Sequence, residues 1–374
     1  MATRWPGSRA ISAARMSLSA VARLVSCAAL IVAVAMSGRA AAQNARACGP
    51  FGNPPAKMLG VVKPGCGSGE LLGPWKDGDG TDRYACLHEP ASIKPGSRLA
   101  LLVYLHPSLF GTWTIAYTNL LALHDTFALG GDHAAPGFIV LAVQGRDTAH
   151  YYPWPDNRGL GWDNWYRQLS PAGDVKIGTT VYPENVDAAT IDHFIAEVAH
   201  RGKVDTRRIY VTGWSNGAAM GLLYALNRPS VAAVAIYSGP DPFGLLDDPC
   251  HQKPVSGAPA DNTEVQIHNP RLFAMHVHNG CDVAGICPNG EKLAAELRST
   301  GVSIDDVIVD SSGKRVEACT AWCGTDANGG LFFLHDPWGW LLGLRHHERW
   351  PSEWTPAMLG FFRDHPLQPA GVPF

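Results

Sequence analysis

The chain has 374 residues, of which 46% are hydrophobic, and its formal net charge at pH 7 is −3. Thirty basic residues stand against 33 acidic ones. This acidic balance argues against nucleic acid or another polyanion as a partner, because such partners need a basic surface.

The first 42 residues are typical of a bacterial export signal, which is removed from the mature protein. An apolar run at 24–36 follows several arginines and precedes the small residues Ala40–Ala42, and Met16 is an alternative start. The run is too short to span a bilayer comfortably, so we expect a secreted or periplasmic protein without a membrane partner. Loss of the five arginines of this segment leaves 25 basic against 33 acidic residues, a net charge of −8.

Eight cysteines follow the signal, and an even number in an exported chain predicts disulfides: Cys48, Cys66, Cys86, Cys250, Cys281, Cys287, Cys319 and Cys323. The pairs Cys281–Cys287 and Cys319–Cys323 are close enough to be bridged locally, although spacing does not fix connectivity. Zinc binding is the alternative, but neither pair has C-x-x-C spacing. We expect no metal and no cofactor, because the sequence also has no phosphate-binding glycine-rich loop and no His-Glu-x-x-His motif.

Residues 43–97 are rich in Gly, Pro and Cys, and they predict an irregular N-terminal extension stapled by disulfides. A main domain is predicted over 98–374. Short apolar runs typical of strands buried on both faces occur there at 98–105, 137–143, 208–212, 232–237, 272–278 and 331–334. Segments of helical period lie between and after them, at 187–199, 216–226, 290–297 and 355–362. The alternation predicts the α/β class, with a mostly parallel sheet covered by helices on both faces.

The pentapeptide Gly213-Trp214-Ser215-Asn216-Gly217 fits the G-x-S-x-G pattern of a nucleophilic serine. It directly follows a predicted strand and opens a predicted helix. A nucleophile elbow needs this order, because the sharp turn lifts the serine hydroxyl above the sheet. The sequence therefore predicts an α/β-hydrolase fold with Ser215 as nucleophile. The alternative is a helix-capping serine whose neighbouring glycines serve the turn.

Residues 204–217 resemble the signature of secreted polyhydroxybutyrate depolymerase-like esterases, a group that includes feruloyl and acetylxylan esterases. The segments 161–165 and 232–239 fit the same pattern. The resemblance covers roughly 98–365 and is strongest between about 185 and 240. It implies an α/β-hydrolase that cleaves a small-molecule or oligomeric ester.

An activated serine needs a histidine base and an acid that orients it, and this fold supplies them in the order Ser, Asp, His. The strand at 272–278 runs into Asn279-Gly280-Cys281-Asp282, which is similar to the family's His-Gly-x-x-Asp. Asp282 is therefore the predicted acid, with Asp241 in reserve. The alternative for Asp282 is a residue in a turn or a helix cap.

The resemblance places the base shortly before a Trp-Pro pair and a last helix. His347 lies three residues before Trp350 and is the predicted base. His346 and then His335 are the alternatives, and in a further alternative all of them are surface histidines.

The oxyanion hole needs two backbone N–H donors. Asn216, which follows the nucleophile, supplies the first. The second belongs to the loop at 106–112, where the family usually has His-Gly and this chain has His106-Pro107. Proline has no N–H, so Ser108 is the predicted donor and Leu109 the alternative, while His106 is expected to be structural.

Several tryptophans lie on predicted loops or beside the nucleophile: Trp162, Trp165, Trp214, Trp338 and Trp340. Trp214 and Trp162 are the predicted substrate contacts, since indole rings suit an apolar or aromatic acyl group. The resulting hypothesis is a secreted serine esterase. A peptidase or amidase on the same fold and a non-catalytic binding protein are the alternatives.

Overall fold

The computed structural model describes residues 63–78, 80–91, 93–150, 157–162, 175–177, 180–182, 185–240, 242, 267–283, 286–320 and 337–368. The chain divides into two compact units, 1–45 and 46–374, and all described residues belong to the second. The predicted export signal lies outside the described residues. Within the described ranges, every helix is too short or too polar to cross a membrane.

The strands of the described chain are β1 (Glu70–Lys76), β2 (Asp82–His88), β3 (Leu99–Leu105), β4 (Ile139–Val143), β5 (Arg146–His150), β6 (Asn157–Gly161), β7 (Val175–Ile177), β8 (Thr180–Tyr182), β9 (Val204–Trp214), β10 (Ala233–Tyr237), β11 (Phe273–Asn279), β12 (Ser303–Val309) and β13 (Arg315–Val316). The helices are α1 (Leu120–Leu123), α2 (Val186–His200), α3 (Asn216–Leu226), α4 (Ile286–Ser299), α5 (Pro337–His347) and α6 (Thr355–Asp364), with a 3₁₀ helix at Thr112–Tyr117.

Nine of these strands form one sheet in the order β1-β2-β4-β3-β9-β10-β11-β12-β13. The strands from β4 to β12 in this order pair in parallel, and the edge pairs β1–β2, β2–β4 and β12–β13 are antiparallel. This strand order is that of the α/β-hydrolase fold, so the predicted fold class is confirmed. The carboxyl ends of the parallel strands meet at one edge, where a site on this kind of sheet is expected.

The sheet is buried on both faces, which explains why β3, β4 and β10 are apolar without interruption. Alternate residues of β3 point to opposite faces: Leu101 and Val103 pack in the core beneath α2, α3 and α4. Leu102 and Tyr104 pack in the second core, which contains residues of the 3₁₀ helix and α6. The predicted strands and helices of this central region are present, with ends that differ by a few residues.

The segment predicted to be an irregular extension contributes two strands of the main sheet, so that prediction was wrong for 70–88. β1 and β2 precede the predicted domain start at 98, and the Cys66–Cys86 disulfide joins the chain before β1 to β2. The sequence does not show an apolar strand pattern here because β1 contains Gly73-Pro74. At this pair the register with β2 shifts, between Leu72 and Trp75.

The structure also decides the cysteine connectivity that spacing left open. Cys287 in the first turn of α4 is bonded to Cys319, which excludes both Cys281–Cys287 and Cys319–Cys323. Cys281 is disulfide-bonded as well. Distance along the sequence is a poor guide to pairing here. α4 and β12 lie between Cys287 and Cys319 in the chain, and they bring Cys319 back beside the start of α4.

Two further differences concern the second half of the chain. β12 was not predicted, because its aspartates Asp305 and Asp306 break the apolar run. α5 spans residues that were assigned to loops, including Trp338 and Trp340. The strand predicted at 331–334 lies outside the described residues.

Candidate active site

Ser215 occupies the sharp turn between β9 and α3. Its backbone has φ 56° and ψ −122°, a region that residues with a side chain rarely adopt. The Ser215 N–H donates to the carbonyl of Tyr237 at the end of β10, at 3.0 Å, and this bond anchors the turn to the sheet. The residue is not a side-chain cap of α3, since its hydroxyl makes no capping hydrogen bond to the helix. The capping alternative is therefore excluded.

The two glycines that flank the turn are required by close backbone approaches. A Cβ at Gly213 would overlap the carbonyl of Gly217, and a Cβ at Gly217 would overlap the carbonyls of Leu105 and His106. Glycine lets the start of α3 lie directly on the end of β3. The G-x-S-x-G pattern thus brings the serine next to the loop that leaves β3.

His347 and Asp282 meet Ser215 in a hydrogen-bonded line. His347 Nε2 lies 2.8 Å from Ser215 Oγ, and His347 Nδ1 lies 2.8 Å from Asp282 Oδ1. A carboxylate only accepts hydrogen bonds, so Nδ1 carries the ring proton and Nε2 is left to accept from the serine hydroxyl. This is the tautomer that a serine nucleophile needs.

Asp282 is buried and held by two further donors. The Val283 N–H donates to Oδ1 at 2.7 Å, and the Ser238 hydroxyl donates to Oδ2 at 2.5 Å. Ser238 directly follows β10 and also has a positive φ, of 49°. Hydrogen bonds to both carboxylate oxygens fix the plane of the group that orients His347.

Two hydrogen bonds to backbone carbonyls set which of the adjacent histidines faces Ser215. Trp214 Nε1 donates to the carbonyl of His347 at 2.8 Å, and the Tyr237 hydroxyl donates to the carbonyl of His346 at 2.8 Å. Burial, followed by the nearby charge of Asp282, raises the pKa of Tyr237 far above its usual value, so its hydroxyl stays a donor. The ring of His346 instead faces the carbonyl of Cys281, at 3.1 Å from Nδ1.

Trp214 is therefore placed to support His347 and not to contact a substrate. It is 6% exposed and its ring packs edge-on against Trp350. The substrate contact predicted for Trp214 does not agree with this burial, because its polar atom and its ring are both engaged inside the protein.

The N–H groups of Asn216 and Ser108 have no hydrogen-bond acceptor among the described residues. Asn216 is the first residue of α3, so its N–H has no partner within the helix and lies at the positive end of the helix dipole. The alternative donor in the β3 loop, Leu109, already donates to the carbonyl of Leu160 at 2.7 Å. Ser108 is thus the better candidate of the two.

His106 holds the peptide that carries the Ser108 N–H. The Gly145 N–H donates to His106 Nε2 at 2.8 Å, so Nε2 is unprotonated and the proton lies on Nδ1. Nδ1 then donates to the carbonyl of Pro107 at 2.8 Å. The C=O and N–H of a trans peptide point in opposite directions, so this bond turns the N–H of Ser108 away from His106.

Trp162 connects the two segments that carry the predicted oxyanion donors. Its backbone N–H donates to Asn216 Oδ1 at 2.8 Å, and its indole N–H donates to the carbonyl of His106 at 2.8 Å. The side chain has no exposed surface and lies against the His106 ring. The predicted substrate contact of Trp162 is therefore not supported. The residue is buried and holds Asn216 and the loop after β3 together by its two hydrogen bonds.

An exposed apolar strip begins directly after Ser108, and sequence reasoning missed it. Every exposed residue from 109 to 117 is apolar or aromatic: Leu109, Phe110, Trp113, Ala116 and Tyr117. Trp113 is 51% exposed and Tyr117 61%, and their rings meet edge to face. The signal was the recurrence of aromatic residues at 110, 113 and 117, whose rings each meet the next edge to face. We call these five residues the aromatic strip.

Other predicted residues cannot be placed. Asp241, His335 and Trp165 lie outside the described residues. Trp338 and Trp340 belong to α5, but their side chains are not among those described.

No family model matches the chain. Among solved structures it is similar to S-formylglutathione hydrolase from Agrobacterium tumefaciens, with 10% identity over 80% of this chain and 95% of that chain and a TM-score of 0.49. A thermostable esterase has 16% identity over 80% and 64% of the two chains, with a TM-score of 0.44. A puromycin-hydrolyzing peptidase from Mycobacterium tuberculosis has 14% identity over 81% and 41%, also with a TM-score of 0.44. The chain spans less than two thirds of the length of these last two proteins.

Proposed function

We propose that the protein is a serine hydrolase of carboxylic esters, in which Ser215, His347 and Asp282 form the catalytic triad. The observation that carries the proposal is the pair of 2.8 Å hydrogen bonds through the His347 ring to Ser215 and Asp282. Ser215 lies at an elbow whose helix dipole favours negative charge above it. An ester, rather than an amide, is proposed because residues 204–217 resemble the polyhydroxybutyrate depolymerase-like esterases.

In the first half of the proposed reaction, Ser215 Oγ attacks the ester carbonyl carbon while His347 Nε2 takes the hydroxyl proton. Asp282 stabilises the imidazolium that forms. The oxyanion of the tetrahedral intermediate accepts hydrogen bonds from the N–H groups of Asn216 and Ser108. The intermediate collapses, the carbon–oxygen bond to the alcohol breaks, and His347 returns its proton to the leaving alcohol.

In the second half, water attacks the acyl group on Ser215 while His347 Nε2 takes a proton from that water. Collapse of the second intermediate releases the carboxylic acid, and the proton on His347 returns to Ser215 Oγ. The two steps together consume one water and restore the free enzyme.

The proposed substrate has an apolar part beside its ester bond. The aromatic strip starts one residue after the proposed oxyanion donor Ser108. The two threonines that lie between its members along the chain, Thr112 and Thr114, are buried. A surface of this kind binds apolar groups by excluding water from them. A secreted or periplasmic location is proposed from the predicted export signal, and the Cys66–Cys86 and Cys287–Cys319 disulfides support it.

Hydrolysis of short-chain p-nitrophenyl esters by the wild type and by Ser215→Ala tests the proposal. We expect the wild type to show turnover and Ser215→Ala to lose it by a factor of roughly 10⁶, as when a triad serine is removed elsewhere. Ser299→Ala, which makes the same change at an exposed residue of α4, is the matched control and should keep full activity. Equal turnover by Ser215→Ala and the wild type would remove Ser215 from the reaction, and turnover of matched anilides in preference to esters would replace the ester proposal with an amidase.

A further inference from the structure

Two histidines and an aspartate that are not part of the proposed triad lie together beneath α4. His276 and His278 are alternate residues of β11, so both side chains point to the same face of the sheet. β12 places Asp306 directly opposite His276 in the register. Asp306 Oδ1 is 2.8 Å from His278 Nε2 and 3.9 Å from His276 Nδ1. We call these three residues the His-His-Asp cluster.

The cluster contains ring nitrogens that have no hydrogen-bond partner among the described residues. Both nitrogens of His276 and Nδ1 of His278 are in this state, although both side chains are completely buried. A buried polar atom left without a partner costs roughly 1–3 kcal/mol, and folded proteins leave few of them. Of these three nitrogens, His276 Nδ1 borders His278 Nε2 and Asp306 Oδ1, and a group bound there would give it a partner.

α4 packs directly over the cluster at a glycine. Gly290 lies over the cluster, and a Cβ there would stand 3.2 Å from His278 Nε2 and 3.3 Å from His276 Nδ1. Glycine in the interior of a helix costs about 1 kcal/mol relative to alanine. The helix is therefore less stable with glycine at 290 than with alanine. A side chain at this position would fill the space next to His278 Nε2 and His276 Nδ1.

We propose that the His-His-Asp cluster is a structural zinc site, with His276 Nδ1, His278 Nε2 and Asp306 Oδ1 as its protein ligands. Imidazole and carboxylate are ordinary zinc ligands, bound at about 2.0–2.2 Å, and tetrahedral geometry then sets them about 3.3 Å apart. The 2.8 Å and 3.9 Å separations lie on either side of this value, and the ligand atoms all lie within 4.8 Å of one another. Small side-chain shifts bring them to coordination distance, and water takes the fourth position.

The neighbouring cysteines are not ligands of this site. The sulfurs of Cys287 and Cys319 also come close to His278, but they are joined in a disulfide, and zinc binds the thiolate form. The site binds β11 to β12 four residues before Asp282. Its role is to hold the strand that leads into the loop of the proposed catalytic acid.

Zinc content of the oxidised protein, produced with zinc in the growth medium and purified in metal-free buffer, tests the inference. Elemental analysis and native mass spectrometry should find about one zinc per chain in the wild type. His276→Leu removes a ligand while keeping the site filled, and it should lose the zinc. His133→Leu makes the same change at an exposed histidine between α1 and β4 and should keep it.

Thermal unfolding separates a zinc site from a buried polar cluster. A strong chelator should lower the Tm of the wild type and of His133→Leu but leave that of His276→Leu unchanged. If His276→Leu does not fold, Asp306→Asn keeps an oxygen that can accept from His278, and this variant should fold with its zinc content reduced at least tenfold. A wild type that contains no zinc and whose Tm responds neither to added Zn²⁺ nor to chelator overturns the inference. So does a His276→Leu variant that keeps its zinc.

Discussion

The ring of His106 makes two hydrogen bonds, one that affects kcat and one that affects stability. Two substitutions can separate these effects. Its Nδ1–H holds the carbonyl of Pro107 and thereby orients the N–H of Ser108, whereas its Nε2 accepts from the N–H of Gly145. In His106→Asn the amide nitrogen takes the place of Nδ1 and keeps the bond to Pro107. In His106→Gln the amide oxygen takes the place of Nε2 and keeps the bond to Gly145.

The expected magnitudes follow from what each variant loses. His106→Asn leaves the buried N–H of Gly145 without an acceptor, which costs roughly 1–3 kcal/mol of the free energy of unfolding. His106→Gln frees the peptide that carries the Ser108 N–H. Complete loss of an oxyanion donor lowers kcat by about 10²–10³. Because the donor is loosened and not removed, we expect kcat of His106→Gln to fall by roughly 10- to 100-fold.

Steady-state kinetics on a p-nitrophenyl ester and thermal unfolding of both variants check this prediction. The order of kcat should be opposite to the order of Tm, with His106→Asn the more active and less stable variant. KM should change little in either, because the oxyanion bonds strengthen in the transition state. If kcat simply follows Tm across the two variants, His106 acts only on stability and the proposed role of its Nδ1 proton is refuted.

Three further predictions concern the acid, the elbow and the N-terminal strands. Asp282→Asn should lower kcat on aryl esters by roughly 10⁴-fold with little loss of Tm, because the amide favours the wrong tautomer of the imidazole; a loss below about tenfold would contradict the role of the acid. Gly217→Ala should destabilise the fold by about 3 kcal/mol or more in denaturant unfolding, since its Cβ meets backbone, whereas Gly360→Ala in α6, where a Cβ meets nothing, should be neutral or stabilising. Replacing Cys66 and Cys86 by serine should lower the free energy of unfolding by about 3 kcal/mol, the value for a loop of 20 residues, and an unchanged unfolding curve would show that this bridge adds no stability.

The local parts of the site could be predicted from the sequence, because they depend on neighbouring residues. The turn at Ser215 is defined by the strand before it, the helix after it and the two glycines that permit the close approach of β3. The same is true of Asp282, which ends the loop after a clear apolar strand. These features can be recognised without knowing which distant residues they contact.

The choice between His346 and His347 could not be made in this way. It depends on hydrogen bonds from Trp214 and Tyr237, which belong to β9 and β10 and are more than 100 residues away. The same limit applies to the substrate contact predicted for Trp214. A tryptophan beside a nucleophile has the same sequence signature whether its indole N–H faces a substrate or a backbone carbonyl.

Two outer strands of the sheet, β1 and β12, could not be recognised from the sequence for a different reason. The Gly-Pro pair of β1 and the aspartates of β12 break the apolar patterns that mark a strand, although both strands complete the sheet. Asp306 in particular is mostly buried and bonds to the fully buried His278, although aspartate is typical of a surface. Such polar interior residues are found only when the structure places their partners together.

Covalent labelling by a fluorophosphonate probe tests the central claim most directly, because the probe reacts with a serine that is activated by a base and leaves weakly nucleophilic hydroxyls alone. Mass spectrometry of the folded protein should find one label per chain, and peptide mapping should place it on Ser215. Labelling should disappear in Ser215→Ala and be strongly slowed in His347→Ala. A folded wild-type protein that takes up no label, or takes it up at another residue, would contradict the account.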